Sequence, residues 1–333
     1  MDEIRNIKPN GLTVASLFAG AGGSSTGYRM AGCKVVWVNE FIPAARETYH
    51  ANWPDVEING NDIRTITGRE IPPVDILDGS PPCASFSMAG RREKGWGKVK
   101  GYSGTEQRTD DLFFEYARVV GVVRPKVFVA ENVTGLVRGN AKIYFGEILK
   151  ALRSHGYVVS ARILDASYLG VPQARQRVII VGVRSDLGKA PVHPVPFGYR
   201  YTLREALKNV PPSVSRPMKA NSRTITLYKI TPRGAQFTAS AHSMFGMQGK
   251  WHTHKRLAWD EPAPTILAGG AAQYHPDEPR SLSIAEVKRV CSFPDDYVVT
   301  GGFARQWERL GRAVPPLMMK AVADTIAKGV FDA

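Results

Sequence analysis

The alternation of short apolar runs with amphipathic stretches through the first half of the chain leaves few folds open. Residues 12–18, 34–38, 74–77, 126–130, 157–164 and 178–183 read as strands. Between them, residues 111–123 and 143–154 carry apolar side chains at helical spacing, and Gly20-Ala-Gly22-Gly23 opens a helix at Ser24. Strands and helices in alternation cover both faces of one sheet, which predicts a doubly wound α/β domain.

Near residue 190 this rhythm stops. Pro191, Pro194, Pro196, Pro211, Pro212 and Pro217 break it, and helical periodicity fades until about Ser281. From Arg200 to Arg256 there are eleven Lys or Arg against one acid, Glu205. Residues 190–275 are therefore expected to form a smaller, basic, irregular domain. Regular helix returns at Ser283 and again at Pro316, so residues 10–185 and 281–333 are expected to make one body around it. The net charge of +14 suggests a polyanionic partner, of which nucleic acid is the common one. No apolar run is long enough for a membrane span or a secretory signal, so a cytoplasmic protein without membrane attachment is expected. Cys33, Cys83 and Cys291 form no CxxC pair and sit near no His at ligand spacing, which argues against a disulfide framework and against a bound metal.

Two stretches carry chemistry. A glycine-rich turn after the first strand lets the backbone approach a ligand closely. Glu40 ends the next strand, where a carboxylate can take both hydroxyls of a ribose, and Asn61-Asp62-Ile63 suits an adenine edge. The turn alone is weak evidence, and its spacing differs from the dinucleotide pattern GxGxxG. More specific is Asp78-Gly79-Ser80-Pro81-Pro82-Cys83, which places a thiol behind two prolines just past a strand. Glu131, in Ala130-Glu131-Asn132-Val133, ends another strand at the same sheet edge. A nucleophile and an acid converging there make a reactive pair.

Five ordered motifs now give a resemblance. Phe18-Ala-Gly20-Ala-Gly22-Gly23, Pro81-Pro82-Cys83, Glu131-Asn132-Val133, Gln173-Ala-Arg175-Gln-Arg177 and Gly311-x-Ala-Val-Pro315-Pro316 follow the order of the DNA cytosine-C5 methyltransferase family. The chain resembles that family over nearly its whole length, except from about 190 to 258. The resemblance implies a Rossmann-like S-adenosylmethionine-dependent methyltransferase sheet with a target-recognition domain, acting as a monomer on double-stranded DNA in a prokaryotic or phage-infected cell. It implies Cys83 as nucleophile toward cytosine C6, Glu131 as the acid at N3, and Arg177 with Arg175 at the base or its phosphate. It implies a donor site made of Phe18, Gly20, Gly22, Gly23, Glu40, Asp62, Ile63, Pro82, Leu112, Arg312, Ala313 and Val314. The basic, glycine-rich stretch 90–108 is expected to close as a lid over DNA and the flipped base.

Two positions depart from the pattern. Ala84 follows the nucleophile where the family has Gln, and Arg312 stands where it has Asn. In the family both border the space between the sulfonium and the base. A second positive charge about 5 Å from a sulfonium repels it by about 3 kcal/mol at an effective dielectric of about 20. A carboxylate on the transferable group would turn that penalty into a paired contact, so carboxy-S-adenosylmethionine is weighed beside S-adenosylmethionine as donor. Plain methylation, an RNA cytosine methyltransferase, a DNA-binding homologue without catalysis and an unrelated nucleotide-binding oxidoreductase are the competing readings. Intact Cys83, Glu131 and Arg177 speak against the inactive homologue.

Overall fold

The computed structural model describes residues 1–82, 100–102, 105–107, 109, 111–139, 141–246 and 251–333, the first two short segments after Pro82 as backbone alone. Cys83, Ala84 and most of the expected lid therefore lie outside the described residues. Seven strands form the central sheet: β1 (Thr13–Leu17), β2 (Lys34–Asn39), β3 (Glu57–Asn59), β4 (Ile76–Gly79), β5 (Val127–Val133), β6 (Tyr157–Asp165) and β7 (Gln176–Arg184). Their order is β3-β2-β1-β4-β5-β7-β6. The first five run parallel, whereas β7 is antiparallel to both β5 and β6. Strand order reverses between β1 and β4, and an open α/β sheet binds ligands in the crevice beyond its strand ends at such a switch point.

The pleat sends alternate side chains to opposite faces. Val127 and Val129 of β5 join one apolar cluster, with Tyr28 of α1 (Gly23–Met30) and Met318, Met319 and Val322 of a later helix, Pro316–Ile326. Phe128 and Ala130 join the other, with Phe113 and Tyr116 from Leu112–Val123 and Ile148 from Ala141–Ser154. Chain-distant α1 and Pro316–Ile326 meet closely because Gly27 has no side chain: a Cβ there would stand 2.5 Å from the Pro316 carbonyl oxygen. The doubly wound arrangement expected from the alternation is thus present, with one face closed by a helix from the far end of the chain.

In chain order the remaining helices are α2 (Pro43–Asn52), α3 (Leu112–Val123), α4 (Ala141–Ser154), α5 (Arg223–Ile230), α6 (Phe237–Phe245), α7 (Ile284–Val290), α8 (Phe303–Arg312) and α9 (Pro316–Ile326). Ser283 caps α7 through a reciprocal pair with Glu286, as its Ser-x-x-Glu spacing implies. A third apolar cluster joins Leu203, Leu257 and Ile266 to α7 and to Trp307 and Leu310 of α8. A small fourth one holds Leu227, Tyr228, Phe237, Ala241 and Tyr274. The basic stretch therefore carries two helices, α5 and α6, and a single helical turn at Leu203–Ala206, where periodicity fades in the sequence. Among the described residues, no helix is long and apolar enough to cross a membrane.

Candidate active site

The ends of β1, β4 and β5 open into a cavity of about 770 Å³, within the range of about 300–1,000 Å³ typical of small-molecule sites. Its floor begins where β1 ends. Phe18 has φ +56°, a left-handed conformation rare for an aromatic residue, and Gly20 (φ +57°) and Gly22 (φ +79°) continue the tight turn. Gly22 caps α1; a Cβ there would lie 2.7 Å from the Tyr297 hydroxyl. A Cβ on Gly23 would lie 2.2 Å from the Val314 carbonyl oxygen. The glycines thus let the turn touch the segment after α8, which is how Ala313 and Val314 reach the cavity.

Glu40 is buried, and its two carboxylate oxygens accept the Gly20 and Ile42 N–H groups, each at 2.7 Å. Burial pushes its pKa up, against those two N–H groups and the charges of Arg309 and Arg46. Asp62 accepts the Arg64 backbone N–H at 2.9 Å, and the Arg64 guanidinium joins Asp62 (2.9 Å) to Asp111 (2.7 Å), the residue before Leu112. Phe18, Gly20, Gly23, Glu40, Asp62, Ile63, Pro82, Leu112, Arg312, Ala313 and Val314 all line the cavity. Gly22 lies beneath the turn rather than on the lining.

At the other side, Glu131 sits near the end of β5 and Arg177 near the start of β7. The antiparallel pairing brings them together, with Arg177 Nε 2.9 Å from Glu131 Oε1. Arg175 is held differently. It is buried, and its Nη1 donates to the Gly311 carbonyl at 3.0 Å while Nη2 reaches the Arg312 carbonyl at 3.4 Å. Burial pulls the Arg175 guanidinium down to about 9. Although it borders the cavity, these hydrogen bonds fasten the β7 approach to the end of α8. Asn132 Nδ2 donates to the Pro81 carbonyl at 3.1 Å, tying the acid's strand to the loop that leads toward Cys83.

Three features of the site escaped the linear reading. Asp78 is buried beside β1 because the parallel register sets it opposite Ser16; Ser16 and Ser24 hydroxyls donate to its Oδ2 at 2.7 Å each. Burial raises its pKa to about 6. Arg309 of α8 lines the cavity though it is only 6% exposed. Thr265, Ile266 and Gly269 to Ala272, from the second half of the chain, close the cavity's far wall. Asp78 lay inside a motif that was already singled out, so its place was findable; nothing along the chain marks Arg309. Arg312, for its part, forms an ion pair with Glu308 one helical turn earlier, Nε to Oε1 3.0 Å.

Comparison with known proteins agrees with this geometry. The model of the family C-5 cytosine-specific DNA methylase matches residues 12–328. The Type II methyltransferase M.NgoFVII of Neisseria gonorrhoeae is 34% identical over 96% of this chain and 88% of its own length. M.Eco47II of Escherichia coli is 33% identical over 96% and 80%. Among solved structures, a DNA modification methyltransferase encoded in an E. coli prophage aligns with TM-score 0.71 at 20% identity, over 97% of this chain and all of that one. The S. pombe Dnmt2 methyltransferase aligns with TM-score 0.64 at 17% identity, over 96% of this chain and 99% of that one. These two show a shared fold, and the sequence matches show more: the chain belongs to the C-5 cytosine-specific DNA methylase family.

Proposed function

We propose that this enzyme transfers a one-carbon-linked group to C5 of a cytosine in double-stranded DNA, with Cys83 as the nucleophile and an S-adenosylmethionine-type donor. The observation that carries the reading is convergence: the glycine turn, the Pro82 end of the nucleophile loop and the Glu131–Arg177 pair border one cavity. Its relatives, named Type II methyltransferases, support a DNA-modification role.

The cavity suits a donor with an adenosine end and an amino-acid end. Glu40 retains lone pairs for ribose hydroxyls beyond its two backbone contacts, and Asp62, Ile63, Pro82 and Leu112 border the place for a base. When bound, such a donor supplies an electrophilic carbon on a sulfonium. The chain's residues do the rest. Cytosine C5 is too weak a nucleophile unaided, so the Cys83 thiolate adds to C6 while Glu131 holds a proton at N3. The electron pair released onto C5 then forms the new C–C bond as the S–C bond to the transferred carbon breaks, its electrons staying on sulfur as a neutral thioether. Loss of the C5 proton restores the ring and expels Cys83. Arg177 orients Glu131 and meets the base or its phosphate. Stacked cytosine hides C6, so the base must flip out, at a few kcal/mol that contacts to the DNA backbone offset. Residues 190–275 are proposed to supply those contacts and the sequence preference, with the enzyme working as a monomer. Mass spectrometry of nucleosides from cells producing the enzyme tests this. A C5-alkylated deoxycytidine that disappears with Cys83→Ser is expected; modification of RNA alone, or at another atom, overturns it.

A second reading concerns the group transferred, and Arg312 on the cavity wall favours it. We propose that its guanidinium, flanked by Glu308, also meets a carboxylate on the transferable carbon, and that Ala84 leaves room for it. Donor competition should then favour carboxy-S-adenosylmethionine by about a hundredfold, about 2–3 kcal/mol. Arg312→Asn should abolish the preference and leave a methyltransferase. Only 5-methylcytosine from the wild type with both donors present would refute it.

A further inference from the structure

Arg309 places a positive charge in the cavity wall, where it acts on the Glu40 carboxylate and lowers its pKa. Its side chain is 6% exposed, and its Nε is shut off from solvent with no hydrogen-bond partner among the described residues. An arginine stays ionised in a protein, and a buried charge without a partner is strongly unfavourable unless a ligand supplies the opposite charge. The Arg309 charge acts on Glu40, whose two oxygens are already engaged by the Gly20 and Ile42 N–H groups. The Arg309 backbone is held on either side of it along the chain. Trp307, two residues earlier, donates its indole N–H to the Leu267 carbonyl at 3.0 Å, and Arg175 holds the Gly311 carbonyl, two residues later, at 3.0 Å. The guanidinium is therefore a preorganised anion site rather than a surface cation folded inward.

We propose that Arg309 binds the α-carboxylate at the amino-acid end of the donor and makes the enzyme select donors that carry one. This rests on the donor reading above. That carboxylate is the fixed anion of an S-adenosylmethionine-type molecule, and the segment from Gly311 to Val314 brings α8 against the glycine turn, away from the adenine side at Asp62 and Ile63. A fork of N–H donors matches a carboxylate in geometry as well as charge.

Calorimetric binding to the full-length protein decides the matter without turnover. S-adenosylhomocysteine and its decarboxylated analogue are titrated into wild type, Arg309→Gln and Arg309→Lys. Wild type should bind the carboxylate-bearing ligand at least about tenfold more tightly. Arg309→Gln should bring the two affinities together by weakening the first alone, and Arg309→Lys should keep part of the gap. Thermal melting of the ligand-free variants controls for folding: Arg309→Gln should still unfold in one cooperative transition, since Arg309 Nε makes no hydrogen bond that the substitution would break. A gap that survives in Arg309→Gln, or no gap in wild type, overturns the proposal and leaves the donor reading standing. Failure of wild type to bind either ligand overturns both. A third arm compares S-adenosylmethionine with its carboxymethyl counterpart. Their ratio should not change in Arg309→Gln; if it alone falls, the carboxylate held is the one on the transferable group and the proposal is wrong.

Discussion

The Asp78 carboxyl receives the hydroxyls of Ser16 and Ser24 and, at 3.4 Å, that of Tyr28, while burial raises its pKa from 3.8 to about 6. The folded protein therefore holds a proton that the unfolded chain has already released. Stability from this group is complete below about pH 4 and is lost as pH rises through about 6. About two units at about 1.4 kcal/mol each make about 3 kcal/mol. Asp78→Asn removes the titration, so in urea unfolding the variant should gain about 3 kcal/mol on wild type between pH 4 and pH 8. A pH-independent difference would contradict the assigned environment. At this scale, residues whose chemistry is local were legible in the sequence. Glu131 and Arg177 were each singled out by a motif, and the structure pairs them in space. Arg175 was assigned with Arg177, yet its hydrogen bonds go to the backbone of α8, a partner 136 residues away that no local pattern discloses. Arg309 was missed for the same reason, since Glu308-Arg309-Leu310-Gly311-Arg312 reads as a charged helix face until folding buries one charge of the three.

Among the elements, the glycine turn is the joint between the two ends of the chain. Its tolerance follows from what surrounds each missing side chain. Gly23→Ala forces a methyl against the Val314 backbone carbonyl, 2.2 Å away, and should destabilise by about 3 kcal/mol while weakening donor binding. Gly146, exposed within α4 with nothing within 4 Å, is the opposite case. There Ala should stabilise by about 0.5–1 kcal/mol through helix propensity. Thermal melts of the two variants should move in opposite directions, and equal shifts would contradict the packing described. Six of the seven strands and helices α3 and α4 were legible because their apolar periods are regular, whereas β3, three residues long, carries none. Strand direction was not: β7 runs antiparallel, and alternation of strand and helix says nothing about orientation within a sheet. Helix α8 was overlooked although Phe303, Trp307 and Leu310 stand at helical spacing among charged neighbours. Helices α5 and α6 were overlooked because the surrounding prolines dominate the reading of that stretch.

Taken as one molecule, the chain joins a sheet edge that carries reactive groups to a basic second segment, and residues from both halves line the same cavity. The sequence between Arg200 and Arg256 carries eleven basic residues, and the same part of the chain sends Thr253 and His254 to the cavity, so a polyanion drawn to it would meet the opening. The central claim is that this cavity admits a flipped cytosine of duplex DNA and that Cys83 bonds to it. A duplex with 5-fluorocytosine at the target position tests it directly, because fluorine at C5 cannot leave as a proton and so Cys83 cannot be expelled. With S-adenosylmethionine present, wild type should accumulate a protein–DNA adduct that survives denaturing electrophoresis, and Cys83→Ser should form none. An equal adduct from Cys83→Ser, or no adduct from a wild-type enzyme that modifies the unfluorinated duplex, would contradict the account.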